Sequence, residues 1–359
     1  MQRVIITTGG TGGHIFPALA VAEELKAQYP DITILFIGAH YGPEKKLALQ
    51  AGLEFEGLPV RGLLGRGWKA AGAACAMLRA VVQACGIIRR FKPDIVAGFG
   101  GYAAFAPVMA ARLCRVPCLL HEQNAIPGTA NRTLARLTHK VCLSLPVAQG
   151  FDPKKCVLTG NPVRSSVAAL YGESVQGNTR HLLIMGGSLG AHALNNYIVI
   201  ILPQLKAAGI ELLHQTGVND VDAVRHAYVA AGYDAACVNA FIDDMAGAYR
   251  WADVVFCRSG ATTVAELAAA GKAAIFVPFP YAIHDHQTHN ARSMTQCGAA
   301  LLVPEQELPQ TDVVALLLDL FSHKEKLQTM AQAAHEQAHI DAAAAVVREM
   351  NSLVKEKYE

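Results

Sequence analysis

Short apolar runs rich in Val and Ile alternate along the chain with longer stretches whose apolar residues recur every three to four positions. The runs predict strands and the longer stretches predict helices. A first set of strands falls at Arg3–Thr8, Thr33–Ile37, Asp94–Gly98, Pro117–His121, Lys140–Leu143 and Cys156–Leu158. The pattern restarts at His181–Met185, Glu211–Gln215, Ala236–Asn239, Asp253–Cys257, Ala274–Pro278 and Ala299–Val303. Helices are predicted between them, among them Phe16–Gln28, Ala191–Ala207 and Thr262–Ala270. Strands that alternate with helices imply a mostly parallel sheet covered on both faces. Two sets of six strands in 359 residues fit two doubly wound, Rossmann-like α/β domains facing a cleft better than one sheet.

The boundary is marked by Gly160-Asn161-Pro162-Val163-Arg164 and by the polar, turn-rich stretch Gly172–Arg180. The expected domains are 1–163 and 164–339, with a last helix at about 340–359 packing back on the first. Each half opens alike. I-I-T-T-G-G-T-G-G-H begins the first and L-L-I-M-G-G-S-L-G-A-H begins the second. A third glycine turn follows at Gly98-Phe99-Gly100-Gly101-Tyr102.

A turn from strand to helix aims backbone N–H groups and the positive end of a helix dipole at a ligand, which favours phosphate. Glycine allows the ligand to come close. The dinucleotide pattern G-x-G-x-x-G fails, because from Gly10 its third glycine falls on Ile15, and no Lys completes a P-loop. Matched turns without either fingerprint point to a phosphate-bearing ligand rather than to tight turns alone. His14 closes the first turn at a helix start, where the dipole disfavours imidazolium. It is a candidate general base, with a capping or packing histidine as the alternative.

Arg258-Ser259-Gly260-Ala261-Thr262-Thr263 opens another helix after a strand, and Glu266 could accept bonds from a ribose diol. The alternative for Glu266 is a partner of the helix dipole. His121-Glu122-Gln123-Asn124 ends a strand of the first half. In the run from His284 to Asn290, Gln287 and Asn290 read as groups for sugar hydroxyls rather than as neighbours of a metal.

Composition narrows the partners. Net charge is +2, without the basic footprint of a nucleic-acid binder. The nine cysteines form no C-x-x-C and read as small buried thiols in a reducing compartment. The N-terminus lacks a signal-peptide pattern, and the stretch from Ala70 is too broken by Arg79 and Gln83 to span a bilayer. Leu63, Leu64, Trp68 and Lys69, followed by Met77, Leu78, Arg79, Ile87, Ile88 and Arg89, combine apolar and cationic groups in a candidate membrane-surface patch. Leu78, Ile87 and Ile88 could instead be the core side of one helix.

G-G-T-G-G-H, G-x-G-G-Y, H-E-Q-N, G-N-P-V-R, G-G-S-x-G-A, F-I-D-D-M, the R-S-G-A-x-T-V-x-E run and the H-Q-x-x-N-A run occur in that order. Together they closely resemble the MurG family of peptidoglycan synthesis over essentially the whole chain. The resemblance implies a two-domain GT-B glycosyltransferase, inverting and metal-independent, with no cofactor. It would move GlcNAc from UDP-GlcNAc to the C4 hydroxyl of MurNAc in undecaprenyl-pyrophosphoryl-MurNAc-pentapeptide, at the cytoplasmic side of the inner membrane. It would act there as a peripheral protein, with cell-wall synthesis complexes as partners and no nucleic acid.

By the same resemblance Thr11, Gly12, Gly13 and Asn124 lie by the donor sugar, and Arg164 and Ser188 near the nucleotide and diphosphate. The Ile242 backbone meets uracil. Ala261, Thr262, Thr263, Val264, Ala265 and Glu266 form the phosphate and ribose segment, with Glu266 on the ribose. Gln287 meets GlcNAc hydroxyls, and Gly100, Gly101 and Tyr102 face the acceptor. His14 matches a catalytic or acceptor-side histidine. Leu189 stands where some members carry glutamine. A nucleotide-sugar epimerase on the same fold is the alternative reading.

Overall fold

The computed structural model describes residues 1–60, 70–146, 150–173 and 179–358. The chain forms two compact units, Met1–Arg164 together with Asp341–Glu359, and Ser165–Ile340.

The first unit holds strands β1 (Arg3–Thr7), β2 (Thr33–Ala39), β3 (Glu54–Leu58), β4 (Ile95–Gly98), β5 (Cys118–Glu122), β6 (Lys140–Leu143) and β7 (Cys156–Leu158). They pair in the order β3-β2-β1-β4-β5-β6-β7, each pairing parallel. Alternate residues of β1 go to opposite faces. Val4 and Ile6 join Ile15, Val21 and Leu25 of the helix Gly12–Gln28, whereas Ile5 joins Ile37, Ile87 and Val108 on the other side. Both faces are buried, which is why the strands read as continuous apolar runs.

β3 is a strand that the hydrophobic pattern missed, so the sheet has seven strands and not six. Its sequence E-F-E-G-L carries two glutamates and a glycine, poor strand formers. Among the described residues it lies at the sheet edge beside β2, where solvated charge is tolerated and discourages further pairing.

The second unit holds β8 (His181–Met185), β9 (Glu211–Gln215), β10 (Val238–Asn239), β11 (Val254–Cys257), β12 (Ala273–Phe276) and β13 (Ala300–Leu302), ordered β10-β9-β8-β11-β12-β13 and all parallel. β10 is shorter than expected because Ala235–Cys237 close into a 3₁₀ turn, with Asp234 accepting from the Ala236 N–H at 2.8 Å.

In each sheet the order reverses direction once, between β1 and β4 in the first unit and between β8 and β11 in the second. The connections after these strands leave in opposite directions and open a crevice at the carboxyl ends, where ligands of such sheets bind. The glycine turns lie at both reversals. The first helix begins at Gly12, ahead of Phe16, so Gly12, Gly13 and His14 form its first turn. Glycine's low helix propensity hid that turn from the pattern.

Helix Ala70–Phe91 corrects part of the membrane-patch expectation. Met77, Ala80, Val81, Ala84, Ile87 and Ile88 follow helical spacing and are buried in the core. Leu78 and Val82 are each 66% exposed, and Arg79, Arg89 and Arg90 are exposed with them. Leu63, Leu64, Trp68 and Lys69 lie outside the described residues. Among the described residues, no helix is long and apolar enough to cross a membrane. All nine cysteines are free, but only Cys118, Cys142 and Cys257 are fully buried; the others sit at helix surfaces and sheet margins.

The terminal helix Ala342–Tyr358 packs Val346, Val347, Met350 and Leu353 on the first sheet beside Ile15 and Leu25. Tyr29 Oη donates to Asn351 Oδ1 at 3.1 Å, and Lys140 Nζ donates to Glu349 Oε2 at 2.5 Å. Met350 is fully buried. Met350→Ala should therefore destabilise the first unit by about 2–5 kcal/mol, as large-to-small changes in a packed core do. Guanidinium unfolding measures it; a change below about 0.5 kcal/mol would mean that the helix carries little of the core.

Candidate functional site

In the first unit the crevice is built by backbone contact. A Cβ on Gly101 would lie 1.9 Å from the Gly9 carbonyl oxygen, and Gly101 has φ 76°. The loops after β1 and β4 can touch there only because both positions are glycine. Glu44, fully buried at the start of helix Glu44–Gln50, accepts the Gly10 N–H at 2.7 Å and so fixes the turn from below. Glu44 escaped the sequence analysis. The available signal was a carboxylate in a helix first turn after Gly42-Pro43. Burial, then the charge of Glu44, raises the Tyr102 pKa above its ordinary value.

His14 is half-buried, and its Nδ1 lies 2.8 Å from Gln123 Oε1. Gln123 Nε2 donates to the Phe99 carbonyl at 2.9 Å and lies 3.2 Å from His121 Nδ1. His121 Nε2 is 3.1 Å from the Gly160 carbonyl. A Cβ on Gly100 would sit 3.2 Å from His14 Nδ1 and 3.0 Å from Asn131 Nδ2, so the bare glycine leaves both side chains room.

The neighbouring residues of β5 point the other way. Glu122 accepts from the Asn124 N–H at 2.9 Å, Asn124 Nδ2 at 3.2 Å, the Gly128 N–H at 3.1 Å and Asn131 Nδ2 at 2.8 Å. Asn124 is thereby held at the strand end. The Arg164 guanidinium lies over the Phe16 ring, 4.8 Å from its centroid.

In the second unit Gly190 has φ 80°, and a Cβ there would lie 2.1 Å from the Thr216 carbonyl oxygen, so the turns after β8 and β9 touch as well. Ser188 and Leu189 are exposed at the tip of this turn. Helices His192–Ala207 and Ala261–Ala270 start beside the sheet reversal. Their N-cap residues, Ala191 and Gly260, make no side-chain cap bond. Thr11 makes none either, although its extended backbone suits one. By contrast Asp244 and Asp312 cap helices Met245–Trp251 and Val313–Ser322.

Glu266 lies in the second turn of its helix and not the first, is buried, and takes the Tyr249 hydroxyl at 2.9 Å, so it is not a first-turn dipole partner. The Ile242 N–H donates to Gln215 Oε1 at 2.9 Å, and Gln215 Nε2 donates to the Gly187 carbonyl at 3.1 Å. Gln287 Oε1 accepts the Phe279 N–H at 2.9 Å, while the Gln287 carbonyl accepts Ser259 Oγ at 2.9 Å.

Asn290 does not reach the surface. It is fully buried and donates to the Ser259 carbonyl at 3.3 Å, because its position on helix His286–Gln296 faces the core. Arg258 is likewise structural: it donates to the Val277 and Pro278 carbonyls and pairs with Glu305, joining the ends of β12 and β13. His284 and Asp285, with φ 56° and 52°, sit in the left-handed region just before Gln287.

The profile of the glycosyltransferase family 28 N-terminal domain matches residues 4–143, and that of the family's C-terminal domain matches residues 181–346. A UDP-N-acetylglucosamine--N-acetylmuramyl-(pentapeptide) pyrophosphoryl-undecaprenol N-acetylglucosamine transferase of Nitratidesulfovibrio vulgaris (strain DP4) is 55% identical, over 99% of this chain and 98% of the relative. The crystal structure of Acinetobacter baumannii MurG matches with a TM-score of 0.73 at 34% identity, over 98% of this chain and all of that one. A UDP-N-acetylglucosamine 2-epimerase structure matches with a TM-score of 0.68 at 16% identity, over 100% of this chain and 98% of that one. That likeness shows a shared fold and nothing of the chemistry.

The buried network has a pH signature. Burial above all holds His121 down at about 4, partly opposed by its bond to Gly160 and reinforced by His14. Burial likewise holds His214 of the second unit at about 3. The ordinary value is 6.5. Above that pH both states are neutral. Between it and the folded value the unfolded chain binds a proton that the folded one refuses, so stability falls as pH falls. Lowering the pH from 7 to 5 should cost about 2 kcal/mol for each such histidine. His121→Asn should remove that share of the slope in denaturant titrations at the two pH values. An unchanged slope would mean that His121 titrates normally.

Proposed function

We infer the function from one premise: this chain belongs to glycosyltransferase family 28, among the UDP-N-acetylglucosamine–N-acetylmuramyl-(pentapeptide) pyrophosphoryl-undecaprenol N-acetylglucosamine transferases. It transfers GlcNAc from UDP-GlcNAc to the lipid-linked MurNAc-pentapeptide of peptidoglycan synthesis. The reaction inverts the anomeric centre. The C4 hydroxyl oxygen of MurNAc forms a bond to the anomeric carbon as the bond from that carbon to the β-phosphate oxygen breaks. The electron pair leaves with UDP, and the hydroxyl proton needs a base.

We propose His14 as that base. The supporting observation is the 2.8 Å contact from its Nδ1 to Gln123 Oε1. An amide oxygen only accepts, so in the neutral ring Nδ1 carries the proton and Nε2 keeps a lone pair. We propose that the second unit binds the donor. The turn at Ser188, ahead of the helix that starts at His192, and the helix start at Ala261–Thr263, with Arg164, would meet the charge developing on the diphosphate. Glu266 would hold the ribose, Ile242 the uracil and Gln287 the sugar. Thr11, Gly12, Gly13 and Asn124 would lie beside the donor sugar, with Gly100, Gly101 and Tyr102 towards the acceptor.

His14→Ala should lower kcat by about 10²–10⁴-fold and leave the KM for UDP-GlcNAc within about twofold, measured as UDP release with a short-chain lipid-linked acceptor. Equal losses in kcat and donor affinity would end the assignment of His14 as base. Release of UDP without acceptor, or a changed sugar epimer, would favour a hydrolase or epimerase.

The acceptor carries a lipid tail, and we propose that the protein works as a peripheral protein on the cytoplasmic face of the plasma membrane, alongside cell-wall synthesis complexes. Leu78 and Val82, one helical turn apart and exposed beside Arg79, support a surface that inserts shallowly while cations meet anionic headgroups. Leu78→Glu with Val82→Glu should weaken sedimentation with phosphatidylglycerol-containing vesicles by about tenfold or more. Retained binding would move the docking surface elsewhere on the chain.

A further inference from the structure

We propose that Gln123 is a positioning residue that fixes which ring nitrogen of His14 carries the proton, and that His121 and two backbone carbonyls fix Gln123 in turn. The inference rests on the reading of His14 as the base. It goes beyond that reading by saying what makes the ring usable as one.

A backbone carbonyl can only accept a hydrogen bond. The Phe99 carbonyl lies 2.9 Å from one amide atom of Gln123, so that atom is the NH₂ nitrogen. Turning the amide over would set two oxygens against each other in a place where Gln123 is only 1% exposed. The other amide atom, 2.8 Å from His14 Nδ1, is therefore the oxygen, and His14 must donate to it.

The second carbonyl gives the same answer from the far end. The Gly160 carbonyl lies 3.1 Å from His121 Nε2, so that nitrogen carries the proton and His121 Nδ1 is left to accept. The group facing Nδ1 at 3.2 Å is the same Gln123 NH₂. Both hydrogens of the amide are thus used and its oxygen is committed to His14. His121 is fully buried and its pKa is lowered to about 4, chiefly by desolvation, so it stays neutral and keeps this acceptor. The chain reads Gly160, His121, Gln123, His14, with Phe99 as a side anchor, and for a neutral His14 ring only one assignment of protons satisfies every member.

The consequence is chemical. An imidazole protonated at Nε2 would point an N–H at the attacking hydroxyl and could not take its proton. Serine proteases use a carboxylate for the same purpose, and neutralising it leaves the geometry intact but the wrong tautomer, with a loss of about 10⁴ in rate. A neutral glutamine orients the ring without placing a charge beside it.

The deciding experiment uses the full chain with ¹⁵N-labelled histidine. Long-range ¹H–¹⁵N spectra distinguish protonated from bare ring nitrogens, and His14→Gln assigns the His14 signals by their disappearance. The expected result is a protonated Nδ1 and a bare Nε2 in the unsubstituted protein. This measurement needs no Gln123 variant to fold, and a protonated Nε2 there overturns the proposal. Gln123→Met keeps size but offers no acceptor. It should let the His14 tautomers mix or reverse and lower kcat by about 10- to 100-fold, with the donor KM within about twofold. Gln123→Glu, protonated so that its hydroxyl meets the Phe99 carbonyl, still leaves an oxygen facing Nδ1 and should restore the tautomer and part of the rate. An unchanged His14 tautomer and rate in Gln123→Met would sink the proposal and leave His14 as base. Undiminished kcat in His14→Ala, with the spectra as expected, would instead remove the base and leave the hydrogen-bond chain intact.

Discussion

No side chain fits between the loops that leave β1 and β4. That steric constraint organises the first unit. The two connections diverge from adjacent parallel strands, yet Gly101 presses so close to the Gly9 carbonyl that a methyl group would overlap it. Because the turns touch, the helix that starts at Gly12 begins over the carboxyl ends of the strands and brings His14 to the end of β5. Glu44 holds the turn from the opposite side through the Gly10 N–H. A bulkier residue at Gly101 would lift one loop, and with it the ring of His14 and its partner on β5.

The second organising fact is strand alternation carried past the end of β5. His121 and Gln123 point to one side and Glu122 and Asn124 to the other. One side becomes the hydrogen-bond chain to His14. The other becomes a carboxylate with four donors, which locks the loop from Asn124 to Gly128 and the helix Thr129–Ala135 to the strand end. Four consecutive polar residues at the edge of an apolar core are tolerable because each is satisfied from a different direction. A buried network of this kind specifies one arrangement, since any member turned over leaves a neighbour unpaired.

Much of this was legible in the sequence, and what was not depended on tertiary context. Apolar runs gave the parallel sheets, because residues buried on both faces leave no polar alternation to confuse them. Paired glycine turns marked both sheet reversals before any strand order was known. β3 was hidden because an edge strand need not be apolar. Met77, Ile87 and Ile88 share a composition with a membrane patch and differ from one only in which face of the helix they occupy. Asn290 and Arg258 carry polar side chains that turn inward to backbone carbonyls. H-E-Q-N could be seen as a polar strand end, but its meaning depends on the carbonyls of Phe99 and Gly160, which no local pattern brings near. Side-chain chemistry was visible in every case; the backbone groups that answer it were not.

That distinction also bears on how the second unit can bind a ligand. The Ile242 N–H and the Gln287 amide oxygen are both already bonded, to Gln215 and to the Phe279 N–H. A ligand that used the Ile242 N–H would first displace Gln215, so the exchange would gain only the difference between two hydrogen bonds, each worth about 0.5–1.5 kcal/mol net, whereas the Gln287 oxygen keeps a second lone pair. Such groups discriminate among ligands more than they attract them, because a ligand that displaces the partner without replacing it leaves a polar atom unpaired. Attraction must come from elsewhere in the unit. The helix starts behind Ala191 and Gly260 lie beside the sheet reversal, and the positive end of each helix dipole there would favour a charged diphosphate. On the proposed reading the unit would separate its tasks, with helix dipoles to hold charge and braced groups on the flanking turns to choose what carries it.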